Sequence, residues 1–79
     1  MVRLKQIKKD GDNILCSAFV EDCPEPVPIV FSIPDGTVQH GPLPKNYEWC
    51  VTHIQHARKH LEQMAKDGNI PEQRNIMWC

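Results

Sequence analysis

The chain has no long apolar run, and no segment reaches the roughly 20 residues that a membrane-spanning helix needs. It also has no excess of one charge. Nine Lys and Arg residues oppose ten Asp and Glu, for a formal net charge of −1. That balance creates no strong field toward nucleic acid or an anionic membrane. The two signs are interspersed, as on an ordinary solvated surface. Met1 to Lys9 contains no apolar stretch of the kind a secretory signal carries. A prenylation box would place a cysteine where Ile76 stands, so none is expected. Together these absences set the expectation of a cytoplasmic protein with neither a nucleic-acid nor a membrane partner.

Catalytic and ligand-binding signatures are missing as well. His56 is followed by Ala57 instead of Glu, which removes the zinc-protease arrangement. No Cys-x-x-Cys knuckle, Gly-rich phosphate loop or aromatic RNA-binding strand pattern occurs. Asp10, Asp12 and Asn13 surround Gly11, but the spacing and distant Glu of a calcium loop are absent, so this segment is a turn. Arg3, Lys5, Lys8 and Lys9 make the first strand basic. A regular strand would divide them between its two faces, and lysines on an edge strand act against aggregation.

What the sequence does contain is periodicity. Its 79 residues form one domain, 1–79, with a thin core. Val2 to Lys9 reads as a strand whose alternation breaks between Leu4 and Ile7, and a bulge near Gln6 would repair it. Ile14 to Glu21 has apolar residues on both faces, as a central strand does. Val27 to Ile33 alternates cleanly, and the Pro34-Asp35-Gly36-Thr37 turn leads to a short strand from Thr37 to His40. Asn46 to Asp67 is the helix, with Asn46 as N-cap, Lys66 in the last turn and Gly68 at the end. Tyr47, Cys50, Val51, Ile54, Ala57, Leu61, Met64 and Ala65 share its apolar face. The expected fold is α+β: an antiparallel β-meander of three to four strands, packed by one long C-terminal amphipathic helix. A short apolar tail with Ile76, Met77 and Trp78 is expected to fold back onto the domain or onto a neighbour.

The helix carries the features closest to chemistry. His53, His56 and His60 lie within an arc of roughly 60°, and Cys50 is nearby. Neutral imidazoles on successive turns can converge on a transition metal of the zinc type. One helix rarely supplies every ligand, so Cys16, Cys23, His40 or Cys79 would have to complete the set. Trp49, His53, His56 and His60 also form a continuous ridge suited to a helix–helix contact between two copies. Alternatively, Met77 and Trp78 cover that ridge within one chain. Cys50 and His53 stand one turn apart, the spacing of a thiol beside a base, although Cys50 falls on the core face. The four cysteines are expected as free thiols. Three functional expectations follow in order: a non-enzymatic protein-interaction module that self-associates through the ridge or a strand edge, a zinc-type metal-binding protein, and a small thiol-dependent enzyme.

Overall fold

Alternating apolar residues build the sheet, and a stripe of helical period closes one side of it. The computed structural model describes residues 1–78. In chain order the elements are β1 (Val2–Asp10), β2 (Asn13–Val20), β3 (Val27–Ser32), β4 (Thr37–His40), α1 (Val51–Asp67) and β5 (Arg74–Ile76). Every pairing is antiparallel, and the strands lie in the order β4-β3-β2-β1-β5. The α+β class and the helix-covered meander agree with the sequence reading. The tail contributes a fifth strand, which pairs with the outer side of β1.

β1 owes its inward face to a bulge. Lys5 lies opposite Ser17 and Lys8 opposite Leu15, so Gln6 and Ile7 together share the place opposite Cys16. Gln6 sits at φ 54° in the left-handed region. The extra residue resets the alternation, and Val2, Leu4 and Ile7 are all buried. In a regular strand Ile7 would point away from the core.

β2 occupies the middle of the sheet. Its Ile14, Cys16, Ala18 and Val20 pack in one core with Val27, Ile29 and Phe31 of β3 and with Ile54, Ala57, Leu61 and Met64 of α1. The helix covers a single face. On the other face Leu15, Ser17 and Phe19 remain half-buried.

The helix begins later than its periodicity implied. Asn46 to Cys50 form turns, and α1 starts at Val51. Asn46 is not the N-cap. It lies at φ 73°, and its backbone N–H donates to Glu48 Oε1 at 2.7 Å. The Trp49 indole N–H donates to the Asn46 carbonyl at 3.0 Å. These local bonds offer the backbone an alternative to the first helical turn. Cys50 takes the cap position without a side-chain cap bond. Val51 was expected on the apolar face but is exposed, and the buried line runs through Cys50 and Ile54 instead. The C-terminal end matches expectation: Gly68 adopts φ 71° and its N–H donates to the Met64 carbonyl at 3.0 Å. Among the described residues, no helix is long and apolar enough to cross a membrane.

Two substitutions test the bulge. Gln6→Gly relieves the left-handed strain and should raise unfolding stability by about 0.5–1 kcal/mol. Ile7→Ala should lower it by about 2–5 kcal/mol, because Ile7 is a core residue only through the bulge. Urea denaturation of both variants reads the two signs. A neutral Ile7→Ala would contradict this register.

Candidate functional site

The histidine stripe is built at the first turns of α1, where the end of β2 and the chain after β5 meet it. His53 is buried, only 5% exposed, and its Nε2 lies 2.7 Å from Glu21 Oε2. Glu21 follows β2 with a left-handed φ of 50°. The amino group of Met1 bonds the same carboxylate oxygen. The Met1 amino group and then His53 hold the Glu21 carboxyl below its ordinary range, since both hydrogen-bond to its charged form. Sequence reading missed Glu21, because nothing near it in the chain signals a partner 32 positions away.

Trp78 enters the ridge from the tail. Its ring stacks on His56, with centroids 4.0 Å apart and planes at 17°. It meets His53 edge-on at 4.8 Å and 78°. Trp49 meets His53 edge-on at 5.5 Å and 81° from the other side. The tail therefore covers the ridge within one chain, between His53 and His56. His60 lies further along, half-buried. Burial, the Arg74 cation and His56 together lower its pKa.

These contacts send the ligand candidates in different directions. His53 faces Glu21, while His56 faces Trp78. Cys50 is fully buried, and burial raises its thiol pKa, with the nearby Glu21 charge adding to the effect. Burial pushes the Cys16 thiol up to about 12. Cys16, Cys23 and Cys50 are free and buried, which leaves no exposed thiolate among them for nucleophilic chemistry. His40 lies on the edge strand β4, where its Nδ1 is 2.6 Å from the Gly41 carbonyl oxygen. Among the described residues, no three His, Cys, Asp or Glu side chains stand together around a position for a metal ion. Cys79, the last candidate ligand, lies outside the described residues.

The chain matches no family model, no curated protein and no solved structure.

Beside the stripe, the Tyr47 hydroxyl donates to Asp22 Oδ1 at 2.7 Å. That bond to a carboxylate, with some desolvation, raises the tyrosine to about 12. It ties the loop after β2 to the turn before α1. A separate cavity of about 300 Å³ opens between the β3–β4 turn and the end of α1, with Pro34, Gly36, Glu62 and Lys66 in its wall. Among the described residues no Cys or His lines it, and Arg58 and Lys66 already pair with Glu62.

His60 supplies a pH test. The unfolded residue takes up a proton near the ordinary value of 6.5, whereas the folded residue does so only at lower pH. Its contribution to stability is therefore complete above that value and is lost as pH falls below it. Glu21 acts in a separate, more acid window, below 4.5. Denaturant midpoints measured from pH 7.5 to 5 should fall more steeply for the natural protein than for His60→Gln. Parallel profiles would remove His60 as the source.

Proposed function

We propose that this protein is a non-enzymatic interaction module that pairs with a second copy of itself through an aromatic–methionine patch around the covered stripe. The observation that carries this reading is the exposure of Trp49 beside the stripe and of Met77 on the tail that covers it. Trp49 is 64% exposed and Met77, next to the stacked Trp78, is 78% exposed. The register Val2↔Ile76 brings the exposed Met1 beside the same region. Tryptophan and methionine are enriched in interface cores, and tryptophan dominates hot spots. Because Trp78 already fills the His ridge, the outward contact passes to Trp49 and Met77.

Two further facts favour a second copy as the partner. A formal net charge of −1 places little repulsion between copies. The core is thin, and the helix shields one face of the sheet only, so added burial has a large relative effect.

Light scattering across a concentration series should show mass rising toward a dimer. Trp49→Ser with Met77→Ser should weaken that association roughly 30-fold, the effect of losing one hot spot of about 2 kcal/mol. Far-UV circular dichroism should keep the helix and sheet signal, since the Trp49 bond to Asn46 lies before α1 and Met77 is on the surface. A monomer at every concentration would refute the self-pairing.

A further inference from the structure

The bulge that buries Ile7 has an opposite effect on the other side of β1. Alternation already places Arg3 and Lys5, opposite Phe19 and Ser17, on the face turned away from the helix, and the bulge adds Lys8, opposite Leu15. The sequence expectation that these cations divide between faces is overturned for these three residues. Nor is β1 an edge strand, because β5 flanks it.

A basin of about 340 Å³ opens where β1 meets the β5 segment, lined by Arg3, Lys5, Gln73, Arg74 and Asn75. Among the described residues, no carboxylate lines it. Arg74 pairs with Leu4, so its side chain belongs to the helix side, where its charge acts on His60. The two cations of the basin are therefore Arg3 and Lys5. Their register partners Phe19, Ser17 and Asn75 are all neutral. Neither cation pairs with a carboxylate among the described residues.

Phe19 gathers the two charges. The Arg3 guanidinium carbon lies 5.4 Å from its ring centroid and the Lys5 ammonium 5.7 Å. A ring face attracts a cation without neutralising it. Both cations thus stand against one ring that does not neutralise them, and an anion nearby is attracted to each. Arg3 is only weakly held by the protein: its Nη2 reaches the carbonyls of Glu21 and Cys23 at 3.4 Å each, and its Nε is buried without a partner among the described residues. A guanidinium fork matches phosphate oxygens, and the amides of Gln73 and Asn75 can donate from the β5 side.

We propose that this basin binds a phosphate-bearing ligand, with the phosphate held between Arg3 and Lys5 and flanked by Gln73 and Asn75. Its volume is that of a small ligand site. The phosphate can belong to a small monoester or to a single nucleic-acid strand running on toward Lys8, and the experiment separates the two.

Isotope-labelled protein is titrated with inorganic phosphate, and with chloride at matched ionic strength. Phosphate should shift the backbone amides of Lys5, Gln73 and Asn75 saturably, and chloride should not. Lys5 is exposed, so Lys5→Gln keeps the fold, and it should weaken phosphate binding about tenfold. Arg3→Lys, which keeps the charge but loses the fork, should weaken it too. A nucleoside monophosphate binding more tightly than a short deoxyoligonucleotide assigns the phosphate to a small molecule. The reverse order, with shifts spreading to Lys8 and Leu15, assigns it to a strand. Equal shifts with chloride, or undiminished phosphate binding by Lys5→Gln, would overturn the site.

Discussion

One extra residue in β1 decides what each face of this protein is. The core needs Ile7, and the chain supplies it three positions after Leu4, where strict alternation would turn it outward. The bulge at Gln6 accepts a left-handed backbone, and in return the inner face of β1 becomes continuous from Val2 to Ile7. The same step places Lys8 on the outer face, where plain alternation already puts Arg3 and Lys5. Core closure at Ile7 and the outward turn of Lys8 are therefore one event, and a β1 without the bulge would lose both.

The second constraint is the meeting of three distant segments at the start of α1. Glu21 comes from the end of β2, His53 from the helix and Trp78 from the tail. None of these groups is placed by its neighbours in sequence alone. The imidazole of His53 has a carboxylate on Nε2 and two indoles nearly perpendicular to its ring, while its buried Nδ1 has no hydrogen-bond partner among the described residues. β5 makes this possible. By pairing with β1 it delivers Trp78 to the histidines and leaves Met77 outside.

A helix over one face of a five-stranded sheet leaves little interior to spare for a catalytic cleft. The buried thiols are packing groups, and the side chains with unspent capacity lie at the rim. Trp49 and Met77 offer apolar area, while Arg3 and Lys5 offer charge without a paired carboxylate. The proposed binding at surfaces rests on these side chains, none of which is needed to fill the core.

Much of the fold was legible because its signals are local. Alternation marked β2 and β3, the broken alternation of β1 located the bulge at Gln6, and Gly68 marked the helix end. The start of α1 was misread because Asn46 resembles a cap in sequence, while hydrogen bonds to Glu48 and Trp49 hold it in a turn. The stripe of His53, His56 and His60 was visible from spacing alone, but its occupant was not. Spacing along one helix determines which side chains are neighbours on its surface. The partners of those side chains come from Glu21 and Trp78, whose approach depends on strand order and register across the whole sheet, and only the tertiary structure decides those.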